Sequence, residues 1–256
     1  MPLENARRYF EFLANLGLTK HLGSMDATRQ LIELAQITRG DYVLDVGTGV
    51  GATPVHLAKT IDCRVVGVDL LEGMIEQSLA RAVAQGVEGR IALAVADARR
   101  LPLADDLYDA VIMESLNVFF EDKLAAVREY VRVTRPGGYV GMTEMTWLSP
   151  PSPETAEYYR RTVYADALQA EGWIELLQDA GLEDVVGHAR PVDIPREGRG
   201  RLQRYGCRGF ASVLLRVLTV VFRDPASRAF LKDVTRTLPR DIMGDVGYGI
   251  YAGRKP

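Results

Sequence analysis

The sequence predicts an α/β fold in which a mostly parallel sheet is covered by helices on both faces, and three observations carry that expectation. Apolar, β-branched runs of strand length alternate with amphipathic patterns of helix length through most of the chain. The stretch "VLDVGTGVGAT", residues 43–53, passes from a hydrophobic strand through three alternate glycines into a helical pattern. A chain of 256 residues that is 47% hydrophobic and 25% charged can bury the core of one large domain or of a domain with a cap.

Two helical segments are expected before the sheet, around residues 3–16 and 25–37, joined by "LTKHLGS". Strands follow at "YVLDVG", "RVVGVD", "RIALAVAD", "YDAVIME" and "GYVGMTEM", and helices between them at "ATPVHLAKTI", "EGMIEQSLARAVAQG" and "EDKLAAVREYVRVT". After Trp147 the rhythm breaks at "LSPPSPE", where the prolines exclude regular structure. It resumes with the helix "GWIELLQDAG", the strand "LEDVVGHARPV" and a last strand "VGYGIYAGRK". The stretch between the last two strands is too long for a turn and holds the apolar helix pattern "FASVLLRVLTVVF" among ten arginines from Arg196 to Arg240. The chain therefore divides as one domain, 1–256, with a helical lid at 1–40, a core at 41–147 and a cap insertion at 194–243.

Composition narrows the function. A net charge of -3 gives no general attraction to nucleic acid. Cys63 and Cys207 are too few for a disulfide framework, and His21, His56 and His188 lack ligand spacing, so no metal is expected. The start "MPLENARRYFEFLANLG" mixes charged with apolar residues, unlike a signal peptide, and no apolar run is long enough to span a bilayer. The cytoplasm is the expected compartment.

At a strand-to-helix turn, Gly47, Gly49 and Gly51 allow positive φ angles and let a ligand lie against the backbone where a Cβ would clash. Gly47, Gly49 and Ala52 also satisfy G-x-G-x-x-G/A, with Asp69 at the distance of a ribose-binding acid, as a dinucleotide site would require. Asp45 weighs against a dinucleotide, because a pyrophosphate gains nothing from a carboxylate at the mouth of its cradle. A ligand bearing an ammonium and a sulfonium does gain, and S-adenosylmethionine is such a ligand. The alternative is that Asp45 orients its own turn.

Five ordered segments, "VLDVGTGVG", "VVGVDLLEGMI", "VADARRLPL", "YDAVIMESLNVFF" and "VREYVRVTRPGGYV", together resemble the class I S-adenosylmethionine-dependent methyltransferases over about residues 24–147. The likeness is greatest to the small-molecule enzymes that methylate ubiquinone and menaquinone precursors. It implies a Rossmann-like seven-stranded sheet of order 3-2-1-4-5-7-6 with the seventh strand antiparallel. It also implies that Asp45, Gly47, Thr48, Gly49 and Gly51 cradle the cofactor and that Asp69 accepts from both ribose hydroxyls. Leu70 would lie against adenine, Asp97 would accept from the adenine amino group, and the Ala98 N–H would meet a ring nitrogen. Glu114 and Ser115 would face the methionine part. For Asp97 a surface pairing with Arg99 or Arg100 is the competing reading.

The reaction so implied is in-line displacement on a sulfonium, in which alignment and exclusion of water are the main tasks. Where the acceptor needs deprotonation, His21 and Glu144 are the candidate bases, with Glu144 alternatively orienting a backbone turn. Asn117, Phe119 and Trp147 are candidate acceptor-pocket residues. No Asn/Asp-Pro-Pro-Tyr/Phe signature follows the fourth strand, which disfavours methylation of nucleic-acid bases and points to a small molecule. The arginine-rich cap suggests an anionic or lipophilic acceptor, and its apolar helix suits pocket roofing, peripheral membrane contact or a homodimer. A cofactor-binding protein without catalysis and an NAD(P)-dependent reductase are the rival functions. The reductase lacks a Tyr-x-x-x-Lys pair at the expected place.

Overall fold

The computed structural model describes residues 23–192, 228 and 244–256. His21, the expected helix at 3–16 and the cap at 194–243, residue 228 apart, lie outside the described residues.

The chain opens with helix α1 (Ser24–Leu34) and strand β1 (Tyr42–Val46). The glycine turn leads into α2 (Ala52–His56), which continues as a π-helical turn over Leu57–Ile61. Strand β2 (Arg64–Asp69), α3 (Glu72–Gln85), β3 (Ile91–Val95), β4 (Tyr108–Glu114), α4 (Lys123–Val133) and β5 (Thr134–Trp147) complete the alternating part. After it come α5 (Pro153–Tyr158), a two-residue β6 (Leu168–Gln169), α6 (Ala170–Asp179), β7 (Glu183–Pro191) and β8 (Val246–Arg254). The sheet order is β3-β2-β1-β4-β5-β8-β7, with β8 antiparallel to both neighbours. Leaving aside β6, which pairs with the end of β5 beyond the reach of β4, this is the expected order.

Alternation along each strand sends successive side chains to opposite faces. Leu44, Val46, Val111, Met113, Val140 and Met142 pack with Tyr130 of α4 and Trp173 of α6. Val43, Val65 and Ile112 pack with Leu31 of α1, Leu57 and Ala82 of α3. With helices over both faces, ligands must approach at the strand ends. The order reverses between β1 and β4, and the crevice at their carboxyl ends is where such sheets take ligands.

Two expectations change. The segment "LSPPSPE" does not exclude a helix. Ser152 caps α5 by accepting from the Thr155 N–H at 3.1 Å, and Pro153 takes the first helical position, where its missing N–H costs nothing. The strand expected at "GYVGMTEM" begins earlier, at Thr134, and holds an excursion: Tyr108 pairs with Thr134 and Ala110 with Tyr139, and residues 135–138 bulge between the two pairings.

Glu144 of β5 is wholly buried. Its Oε1 accepts from the backbone N–H of Leu116 at 3.0 Å and of Asn117 at 2.6 Å, so it anchors the chain leaving β4. Its Oε2 has no hydrogen-bond partner. Burial pushes the carboxyl up to about 7, against the N–H groups of Asn117, Leu116 and Val118 and the Lys123 ammonium, which pull it down. An acid raised from its unfolded value of 4.5 binds more protons folded than unfolded, so its contribution to stability is full below pH 4.5 and is lost as pH rises through about 7. Glu144→Gln removes this dependence. Its unfolding free energy relative to the parent should therefore improve between pH 4.5 and 7.5, by at most about 1.4 kcal/mol per pH unit. Denaturant melts across that range check this, and a difference that does not change with pH contradicts it.

Candidate functional site

The carboxyl ends of β1, β2 and β4 bring three acids around the glycine turn. The turn is tied to β2 by the Gly47 and Thr48 N–H groups, which both donate to the Val68 carbonyl at 2.8 and 2.9 Å. Gly47, Gly49 and Gly51 all take positive φ, at 75°, 52° and 77°. Their Cα hydrogens meet different surroundings. A Cβ on Gly51 would run into Ser78 of α3, 2.9 Å from its Cα, so this glycine lets α3 pack close. Among the described residues a Cβ on Gly49 would meet nothing nearer than the Gly47 carbonyl at 4.0 Å. Gly49 is thus the position where bare backbone faces open space.

Asp69 holds that backbone in place. Its Oδ2 accepts from the Gly49 N–H at 2.9 Å and its Oδ1 from the Leu71 N–H at 3.0 Å. Burial raises its carboxyl above the usual range, and the Leu71, Gly49 and Leu70 N–H groups offset part of the rise. Each carboxylate oxygen accepts at two positions, so this tie leaves Asp69 chemically able to take hydroxyl donors as well. Leu70 beside it is half exposed, at 52%.

Asp45 is almost fully buried, and among the described residues its Oδ2 completes no hydrogen bond of good geometry. Its carboxyl is pushed up to about 7, first by burial and then by the charges of Glu114 and Asp69, with the Thr48 hydroxyl opposing. The Thr48 Oγ1 is itself buried and close enough to act on Asp45, but among the described residues it completes no hydrogen bond of good geometry. Glu114 accepts from Thr28 of α1 through Oε2 at 2.9 Å and from Thr53 of α2 through Oε1 at 2.6 Å. Ser115 follows with a left-handed φ of 57° and a buried hydroxyl without a partner, while its N–H donates to the Thr143 carbonyl at 2.6 Å. A non-glycine residue held there costs of order 1–3 kcal/mol and is stabilised by its surroundings.

Other expected site residues fall differently. Asp97 accepts from the Arg99 backbone N–H at 2.9 Å and from its guanidinium at 2.6 and 3.0 Å, and this pairing lowers its carboxyl below the usual range. Its neighbour Ala98 is partly buried. Asn117 is buried, with its amide between the Tyr130 hydroxyl and the Met142 sulfur. Trp147 is buried edge-on against Tyr159, with ring centroids 5.1 Å apart. Trp147 lies in the interior because the end of β5 is covered by α5 and its π-helical continuation over Tyr159–Val163, and Asn117 is held there by Tyr130 of α4 and Met142 of β5. Phe119 is partly buried against the same cluster. Thr28 and Thr53 were not expected. The signal for Thr28 is a polar residue in the buried stripe Ala27, Leu31 and Ile32 of α1.

The arrangement suits a ligand with positive charge near Asp45 and Glu114 and hydroxyls near Asp69, lying over Gly49. Among the described residues no cluster of three or more His, Cys, Asp or Glu could hold a metal ion.

Comparisons agree with this geometry. Residues 43–138, which span the turn and all three acids, match the model of a methyltransferase domain. Phosphoethanolamine N-methyltransferase 3 of Arabidopsis thaliana is 28% identical over 224 residues, which are 87% of this chain and 41% of the relative. The chain thus spans about two fifths of that relative's length. A protein of Haemophilus influenzae without assigned function is 31% identical over 86% of this chain and 89% of its own. Among solved structures, a methyltransferase from Geobacter sulfurreducens with bound S-adenosylhomocysteine superposes with a TM-score of 0.72 at 18% identity, covering 96% of this chain and 97% of that one. The [4+2]-cyclase SpnF superposes with a TM-score of 0.71 at 22% identity, covering 93% and 88%. At such identities the superpositions speak to the fold alone. With the domain match placed on the acid-lined turn and the relatives aligned along nearly the whole chain, this protein belongs to the class I S-adenosylmethionine-dependent methyltransferase family.

Proposed function

We infer that the chain binds S-adenosylmethionine over Gly49 and transfers its methyl group to a small-molecule acceptor by in-line displacement. The observation that carries the reading is the pairing of open backbone at Gly49 with the buried, incompletely satisfied carboxylate of Asp45. The residues present fit the cofactor: its hydroxyls suit Asp69, its adenine suits the exposed face of Leu70, and its cationic methionine end suits Asp45, Glu114 and Ser115. When bound, the cofactor supplies a methyl already activated on a sulfonium. The chain's part is to fix that end between buried acids and to keep water out while a nucleophile is aligned.

Glu144 has one oxygen on the backbone of Leu116 and Asn117 and lies in the interior, so it supports the reading as an anchor of the post-β4 turn more than as a base. For the acceptor we propose a small molecule with an amine or hydroxyl nucleophile and an anionic or lipophilic part. The support is the arginine-rich sequence at 194–243 and the phosphoethanolamine named in the plant relative. Formation of S-adenosylhomocysteine over a panel of phosphorylated amines, quinone precursors and polyketide alcohols tests this. Turnover with one class assigns it, and cofactor binding without turnover of any favours a silent binding protein.

Asp69→Ala should weaken S-adenosylmethionine binding by about 1–3 kcal/mol, because the site loses a charged acceptor and the Gly49 N–H loses its tie. Calorimetry on the folded variant checks this, and an unchanged affinity removes Asp69 from the site. Gly49→Val should abolish measurable binding, because a branched side chain would occupy the open space and resist a φ of 52°. Retained binding would mean that the ligand lies elsewhere.

A further inference from the structure

Glu114 is the one acid of the site whose two oxygens are held by side chains of two different helices, Thr28 of α1 and Thr53 of α2. Both hydroxyls are buried with their residues, at 0% and 6% exposure. A threonine inside a helix can return its hydroxyl to a carbonyl of the preceding turn, an option that the helix offers Thr28 but not Thr53, which lies in a first turn. Here each donates instead to a carboxylate 86 and 61 residues away in sequence. A hydrogen bond to an ionised acceptor in a buried setting is stronger than that local alternative, and two of them fix a side chain with three rotatable bonds.

The position of the held group gives the arrangement a use. Glu114 ends β4 at the switch point, near enough to Asp45 to raise its carboxyl. Thr53 stands two residues after Gly51, in the first turn of the helix that the glycine loop opens. Thr28 belongs to a helix that packs on β5 and β8, on the other side of the switch point from β2. A single carboxylate thus joins the cradle helix, the end of the central strand and the helix that precedes the sheet.

We propose that Thr28 and Thr53 are positioning residues for the cofactor, acting through Glu114: their hydroxyls fix its charge where the cationic methionine end binds. The inference rests on the cofactor reading above. It goes beyond it in naming two residues that need not touch the cofactor and in placing α1 within the binding machinery. With a threonine unable to donate, the Glu114 oxygen that it holds loses that tie, and cofactor affinity falls although no contact residue has changed.

The test is calorimetric binding of S-adenosylmethionine to the full chain, with thermal melts to confirm folding. Thr28→Val and Thr53→Val keep the shape of threonine and remove the donor, and each should weaken binding about tenfold. Thr28→Ser and Thr53→Ser restore the donor and should return most of the affinity, which a purely packing role would not produce. In a Glu114→Gln background the valine substitutions should add no further weakening. Should a valine variant fail to melt cooperatively, the serine variant and Thr→Ala at the same position carry the comparison. Valine variants that bind as the parent does, or that weaken binding equally in the Glu114→Gln background, overturn the proposal alone. A folded parent that binds no S-adenosylmethionine overturns the cofactor reading and this proposal with it.

Discussion

The arrangement depends on keeping carboxylates at the end of a buried parallel sheet, where each loses the solvation that favours its charge. Asp69 is compensated by two backbone N–H groups and Glu114 by two threonine hydroxyls. Asp45 has less compensation than either, and its charge is resisted by both of the others. Such a group is stable as the neutral acid or beside a cation. The glycine turn brings open space within reach of it, so the strain of three neighbouring acids is relieved by a positively charged ligand in that space.

This constraint also separates two ligands that share a fold and a glycine pattern. A dinucleotide brings a pyrophosphate to the turn, and the acids of β1 and β4 would repel it. The acid at the end of β2 suits the ribose of either ligand, which is why Asp69 alone does not decide. The superposition on a cyclase shows that the sheet by itself does not fix the chemistry, so the argument must be carried by the side chains at the strand ends.

Much of this was legible in the sequence because the strand and helix periods are clear and the glycines stand between them. Asp45 could be found as a single acid inside an apolar strand. Trp147 stands at a strand end, where an apolar pocket wall is expected, but position along a strand does not say what covers it. The cover of Trp147 comes from α5 and its continuation, hidden in the sequence because Pro153 reads as a breaker although Ser152 and Pro153 together make a helix start. The pairing of Asp97 with Arg99 was legible as an alternative, since the two are neighbours in sequence. The Thr28 and Thr53 contacts to Glu114 were not, because they join residues 86 and 61 apart and no local pattern encodes such a meeting.

The central claim is that buried, underpaired acid at the glycine turn selects a cation. Parallel calorimetric titrations of the chain with S-adenosylmethionine and with NADPH and NADH, at pH 6.0 and 7.5, test it most directly. The account predicts binding of S-adenosylmethionine alone, tighter at the higher pH because Asp45, raised to about 7, must lose its proton to pair with the ligand. Binding of a nicotinamide cofactor in its place, or an affinity for S-adenosylmethionine that weakens as pH rises over this interval, would contradict it.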